Sequence, residues 1–277
     1  MRCDIRELSR KADTLRLDVV RMVGVGKAGH IGGSCSIADV AAALYFYKMR
    51  HDPKNPKWAQ RDRFLLSKGH AALIQYAALA ECGYFDKSEL RTLKRLGSRL
   101  QGHPDLTKLE GIEGNTGSLG QGLSMACGMA AGLKLDGIDA KVYCILGDGE
   151  IAEGQIWEAC MSAKNFRLNN LRVILDKNGL QATEAVSKTF DSSPYREKFE
   201  AFGFEVLEVD GHNMEQIVSA LDAADEIRDK PVCIIANTVK GKGIPFAEGR
   251  FAFHNGTMTQ EQYELAVGTL EQKAGAD

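Results

Sequence analysis

Apolar residues at Ile5, Leu8, Ala12, Leu15, Val19 and Met22 recur at steps of three and four, which predicts one amphipathic helix running to the glycines Gly24, Gly26 and Gly29. A richly apolar segment from about Ser36 to Met49 predicts a second, buried helix. RDRFLLS (61–67) reads as a short strand, and the Ala/Leu-rich 71–82 as the helix after it. Residues 97–120 carry glycines, histidines and Pro104 without a period, which predicts a loop, followed by a small-residue helix from Gly122 to Leu133. Apolar runs at 141–146, 171–176, 204–209 and 232–238 predict strands, alternating with helical patterns at 154–166, 194–202 and 213–228. Short, doubly buried apolar strands between helices predict an α/β fold: a mostly parallel sheet with helices on both faces. No internal repeat or linker interrupts the pattern, so 1–277 reads as a single domain closing in a loop and short helix over about 241–277.

Composition narrows the functional classes. At 277 residues, 44% hydrophobic and 26% charged, the chain suits an ordinary globular protein. A net charge of −2 gives no general attraction to nucleic acid or anionic membrane, so any phosphorylated ligand must be held by a local site. No apolar stretch of about twenty residues and no signal-like N-terminus is present, and a cytoplasmic location is expected. The seven cysteines (Cys3, Cys35, Cys82, Cys127, Cys144, Cys160, Cys233) are odd in number, lack CxxC spacing and mostly sit in apolar runs. Reduced, buried thiols are expected rather than a disulfide framework or a zinc site.

Candidate chemistry gathers at predicted strand ends, where α/β sheets bind ligands. Gly147-Asp148-Gly149 follows the strand 141–146, and Asn178 follows the strand 171–176, about thirty residues later. An acid and an amide at two strand tips beside a helix start suit a divalent metal clamping a diphosphate. Gly69-His70 and the segment Thr238 to Gly243 follow two further strands. Taken singly, Gly147 and Gly149 also suit a tight turn, and Asp148 an N-cap. His30, His70, His103 and His254 each lie within two residues of a glycine in a predicted loop. Such histidines are commonly solvated, yet imidazole is the side chain best suited to moving protons near neutral pH. His51 and His212 have no comparable setting and are assigned to the ordinary surface. Lys240 is either a phosphate-facing cation or a solvated loop lysine. TGSLGQG (116–122) either admits a flat ring or permits close helix packing.

These segments, taken in order, resemble the N-terminal, diphosphate-binding domain of transketolase, a thiamine-diphosphate enzyme. The resemblance rests on AGHIGGS (28–34), DRFLLSKGHAA (62–72), GHPD (102–105), NTGSLGQG (115–122), GDGEIAEGQIWEA (147–159), LDKNGLQ (175–181), TVKGKG (238–243) and FHNG (253–256). It implies Mg²⁺ (or Ca²⁺) held by Asp148, Asn178 and the Leu180 carbonyl, with thiamine diphosphate contacted by Gly149, Gly33, His70, Lys240 and His254. Gly117, Ser118 and Leu119 would line its aminopyrimidine. His30, His70, His103 and His254 would contact substrate oxygens and assist proton transfer. Glu153 would join paired active sites across a dimer; its ordinary reading is a helix N-terminal acid. The implied reaction moves a two-carbon ketol unit from a ketose phosphate to an aldose phosphate, as in the pentose phosphate pathway.

Ser118 and Ile31 stand where the family often has proline, and Asp105 where GHPE is commoner; these differences are mild if the backbone makes the contacts. The larger departure is length. A complete transketolase continues into a pyrimidine-binding domain that supplies the glutamate activating the cofactor. The expectation is therefore one half of a split enzyme, with a second polypeptide carrying that domain, in a heterotetramer with two copies of each chain. A specialised sugar or acceptor, and a non-catalytic thiamine-diphosphate-binding protein, are the alternatives. 1-Deoxy-xylulose-5-phosphate synthase fits SKGHAA and GHPD poorly, and a 2-oxo-acid dehydrogenase α-subunit lacks the histidine series.

Overall fold

The structure, a computed structural model, describes residues 4–275; Cys3 lies outside them. The strands are β1 (Arg63–Leu66), β2 (Val142–Gly147), β3 (Leu171–Lys177), β4 (Glu205–Asp210) and β5 (Val232–Asn237). They form one sheet in the order β1-β2-β3-β5-β4, with every pairing parallel. The helices are α1 (Ile5–Val23), α2 (Ile31–Cys35), α3 (Ala38–Ala43), α4 (Ala72–Cys82), α5 (Gln121–Leu135), α6 (Gly154–Asn165), α7 (Val186–Thr189), α8 (Tyr195–Ala201), α9 (Met214–Glu226) and α10 (Gln260–Ala274).

Strand side chains alternate between two cores. Val142, Cys144, Leu146, Val173 and Leu175 pack with Leu123 and Ala126 of α5, Ile156 of α6 and Phe199 of α8. Tyr143, Ile145, Ile174, Ile234 and Ala236 face the opposite way, toward Leu15 and Val19 of α1, Val40 of α3, Ile74 of α4 and Leu221 of α9. This period-two alternation, apolar on both faces, is what a sheet covered on both sides requires. The strand ends are in register: Gly147 pairs with Asp176, and Asp176 with Ala236. The polar residues that follow β2, β3 and β5 are therefore delivered to one edge.

Local signals account for most boundaries. Asp4 caps α1 by accepting the Arg6 amide at 3.1 Å. Helix α4 stops at Gly83, whose φ of 87° is left-handed.

The expected helix from about Ser36 to Met49 is found as α3 running into a wider turn over Leu44–Lys48, and the short α2 before it was not expected. Ile37 leaves helical geometry (φ −102°, ψ 14°), and the Ser36 hydroxyl reaches away to Asp176 at 2.7 Å. A short turn over Lys87–Thr92 has no strong apolar period and went unpredicted. Strand β4, at the sheet edge beside β5, is half exposed. The C-terminal helix is longer than expected at 15 residues. A Thr259–Gln262 capping box starts it, and Ala266 and Leu270 join the α1 core.

Candidate active site

Asp148 follows β2 directly and is 1% exposed. Its carboxylate accepts the Gly149 amide at 2.9 Å and the Gly179 amide at 2.5 Å. Burial, reinforced by the charge of Asp176, pushes its pKa up to about 6. No lysine or arginine side chain is paired with it among the described residues. Asn178, past the end of β3, accepts the Leu180 amide on Oδ1 at 3.1 Å and donates from Nδ2 to Asp176 at 2.8 Å. Asp148, Asn178 and Leu180 line one cavity of about 270 Å³ with His30, Gly33, His70, Gly117, Leu119, Gly149, Lys240 and His254.

This donor set fits a hard divalent cation: carboxylate, amide oxygen and backbone carbonyl are all oxygen ligands. A nearly solvent-free carboxylate that lacks its own counter-cation also asks for one. No group of three or more His, Cys, Asp or Glu side chains among the described residues could hold a metal, so such a cation would need the amide and the carbonyl. The Leu180 carbonyl accepts Lys240 Nζ at 2.8 Å. Burial, with Lys68 nearby, lowers the Lys240 pKa to about 8.

Three residues that the sequence reading missed build the floor. Lys68 is buried and donates to the Gly33 carbonyl at 2.7 Å and to Asp176 at 2.5 Å. Asp176, with no exposed surface, also accepts from Ser36, Asn178 and Thr238. Burial opposes its ionisation, but the Lys68 ammonium outweighs that and holds its pKa below the usual carboxylate range. Glu150 accepts Ser67 Oγ at 2.5 Å, the Gly120 amide at 2.9 Å and the Gly147 amide at 3.0 Å. One carboxylate thus ties the GDG turn to the TGSLGQG loop. The available signal was an acid or lysine placed immediately at or after the end of an apolar strand.

Four histidines come together from distant loops. His30 lies 5.2 Å from His70, 5.4 Å from His254 and 6.3 Å from His103 between ring centroids; His70 and His254 are 4.9 Å apart. A reciprocal backbone pair between Gly29 and Gly256 brings His30 beside His254. Tyr76 Oη donates to the carbonyl of His103 at 2.9 Å and so holds the GHPD loop. Burial lowers each histidine pKa, to about 4 for His30 and His254 and about 2 for His70, with His103 also lowered. Lys94 adds to the effect at His30 and His103. His254 Nδ1 is buried without a hydrogen-bond partner. Gly117 has φ 150°, and a Cβ there would meet His103 Cδ2 at 2.8 Å. Ser118 is exposed at the loop tip, and Glu153 is exposed at the start of α6, both outside the cavity lining.

The reading of His51 and His212 as ordinary surface residues is corrected. His51 bonds the Tyr84 hydroxyl at 3.1 Å and the Tyr45 carbonyl at 2.8 Å. His212 Nε2 accepts the Val239 amide at 2.8 Å while Nδ1 faces Asp39 at 2.8 Å, so Nδ1 carries the proton. That bridge anchors the segment bearing Lys240.

The family description "Transketolase, thiamine diphosphate binding domain" matches residues 8–276. The chain belongs to the transketolase family. It is similar to the 6-deoxy-6-sulfo-D-fructose transketolase subunit SqwG of Clostridium sp. (strain MSTE9), 45% identical over 270 residues that cover 98% of each chain. It is 41% identical to one of the subunits of the apulose-4-phosphate transketolase of Phocaeicola vulgatus, over 97% of this chain and 95% of that one. Its structure matches the transketolase of Campylobacter jejuni with a TM-score of 0.90 and 36% identity, covering 99% of this chain and 44% of that one. The chain thus spans less than half of the single-chain transketolase, and nearly all of the two relatives named as subunits. It is an N-terminal transketolase subunit of the thiamine-diphosphate-binding type.

Proposed function

We propose that this chain pairs with a polypeptide carrying a pyrimidine-binding domain, in a heterotetramer with two copies of each, to transfer a two-carbon ketol unit from a ketose phosphate to an aldose phosphate. What supports this reading is one cavity that joins a diphosphate-and-metal end, with Asp148, Asn178, Leu180 and Lys240, to a histidine end, with His30, His70 and His254. When bound, thiamine diphosphate supplies the reactive carbon that takes up and releases the two-carbon unit.

This chain's residues do the holding and the proton management. Asp148, the Asn178 amide and the Leu180 carbonyl hold Mg²⁺ (or Ca²⁺). The Gly149 amide, Gly33, His70, His254 and Lys240 receive the cofactor, and Lys68 adds a second buried cation at the same end. Gly117, Ser118 and Leu119 line its aminopyrimidine side. His30, His103 and His254 hydrogen-bond substrate hydroxyls, with His70 between diphosphate and substrate. Their lowered pKa values keep the rings neutral near pH 7, so each offers one N–H and one lone pair and can relay a proton. Glu153, exposed at the head of α6, meets the paired site across the dimer. The chain acts in the cytoplasm; its six described cysteines are free thiols, five of them buried, and no helix among the described residues is long and apolar enough to cross a membrane.

Reconstitution tests the reading. Xylulose 5-phosphate should be turned over with thiamine diphosphate and Mg²⁺ only when the partner is added. Because two relatives are named for 6-deoxy-6-sulfo-D-fructose and apulose-4-phosphate, ketoses of those kinds belong in the same assay. Ordinary turnover by the chain alone would sink the split-enzyme reading.

A further inference from the structure

The turn from Thr92 to Arg95 carries a lysine where its backbone favours glycine. Leu93 has φ −43° and ψ 129°, Lys94 has φ 58°, and the Arg95 amide donates to the Thr92 carbonyl at 3.0 Å. These are the marks of a type II turn, whose third residue is left-handed and usually glycine or asparagine. A lysine is strained there relative to glycine. Arg167 is the other non-glycine residue with positive φ among the described residues, and it follows the end of α6, where left-handed residues routinely close helices. Lys94 stands two residues past the short helical turn Lys87–Thr92, which its left-handed conformation closes. Retained backbone strain of this kind concentrates at functional sites.

What the conformation achieves is direction. The Lys94 amide donates to the Leu100 carbonyl at 2.9 Å, folding the turn against the loop that carries His103. Its side chain crosses toward the loop that carries His30, and Nζ donates to the Ala28 carbonyl at 3.0 Å. Cε lies 3.4 Å from where a Cβ would stand on Gly102, the residue before His103. The ammonium is exposed, and no carboxylate is paired with it among the described residues. It therefore stands beside the backbone that leads into both His30 and His103, at the solvent edge of the histidine cluster. Lys27 and Arg95 line a neighbouring cavity of about 520 Å³ with it, and that lining contains no acid.

A ketose that gives up its first two carbons must seat them deep, beside the cofactor, and its far end then runs outward past the histidines. Lys68 and Lys240, both buried, line the cavity with Asp148 and Asn178. The geometry points to Lys94 as a specificity-determining residue of this chain, which takes the distal tetrahedral anion, phosphate or sulfonate, of the open-chain ketose. This inference rests on the transketolase reading, and it gives this chain, as well as its partner, a hand in substrate choice.

The test uses the assembled two-chain enzyme with Lys94→Gly and Lys94→Arg. Glycine removes the charge and relieves the turn, so a purely structural role predicts equal or better folding with unchanged kinetics. The expected result is a melting temperature at or above that of the wild type and a KM for xylulose 5-phosphate about tenfold higher, the worth of one charge-assisted contact. kcat/KM for the uncharged ketose erythrulose should stay within about twofold on the same scale. Lys94→Arg should keep the preference for the phosphorylated donor. An unchanged ratio of phosphorylated to uncharged donor in Lys94→Gly, or equal loss of both, overturns the inference alone. A wild-type complex that turns over neither donor overturns the transketolase reading and this inference together.

Discussion

Lys68 Nζ lies 2.5 Å from Asp176 Oδ2, and both side chains are shut off from solvent beneath the cavity. The pair joins the end of β1 to the end of β3, and Ser36 and Thr238 add their hydroxyls to the same carboxylate. A buried charge stripped of its partner is expensive. Lys68→Met should therefore destabilise the fold by about 3–5 kcal/mol, and it should also weaken cofactor binding. The double variant Lys68→Met/Asp176→Asn should recover most of the stability in urea unfolding but not the thiamine diphosphate affinity in calorimetry. A single variant as stable as the wild type would show that the pair is not structural.

Asp148 gives a metal prediction. In the assembled complex, EDTA should lower the affinity for thiamine diphosphate at least tenfold, and Mg²⁺ should restore it. Asp148→Asn should bind weakly with or without Mg²⁺, because a neutral amide is a far poorer ligand for a hard divalent ion than a carboxylate. Calorimetric titration reads both. Equal Mg²⁺ dependence in the variant would remove Asp148 from the metal site.

The histidine cluster gives a pH prediction. His30 and His254 are held to about 4 and His70 to about 2, chiefly by burial. An unfolded histidine titrates near pH 6.5. Below that pH the unfolded chain binds protons that the folded cluster refuses, so stability falls as pH drops from about 6.5 toward 4. NMR of the ring carbons should show these three imidazoles neutral from pH 8 down to pH 5. A midpoint near 6.5 for any of them would contradict its buried setting.

The opposite sign holds at Asp39. Burial disfavours its charge, but Arg16 and His212 outweigh that and bring its pKa down to about 2. Its stabilisation is therefore complete above about pH 4 and is lost as pH falls through about 2. Asp39→Asn should cost about 3–5 kcal/mol at pH 7, since it leaves the buried Arg16 short of its partner, and the gap to wild type should close on acidification. The variant should also speed hydrogen exchange at the Val239 amide, which His212 holds. Unaltered exchange there would mean that Asp39 does not orient His212.

Much of the fold was legible because its signals are local. The α1 stripe and the buried strands depend on neighbours within a few residues. The short helix α2 (Ile31–Cys35) was not legible: it is five residues long and glycine-bearing, and Ser36 just past it is bound by Asp176, 140 residues away. Within the site, the glycine-flanked histidines and the Asp148–Asn178 pair stood out through their loop context. Lys68, Asp176 and Glu150 did not, because a charged residue at a strand end looks like a solvated terminus until its partners are known. His212 was misread for the same reason: both of its bonds, to Asp39 and to Val239, are made to other segments.

By itself, the order of residues determined the parallel α/β class, the approximate elements and the family, because periodicity and short motifs are written in consecutive positions. Only the folded chain decided which charges meet: Lys68 with Asp176, Glu150 with the amides of Gly120 and Gly147, Lys94 beside the backbone of two histidine loops. The physical reason is that burial and pairing set the energy of a charge, and both come from chain segments that are remote until the sheet brings its strand ends to one edge.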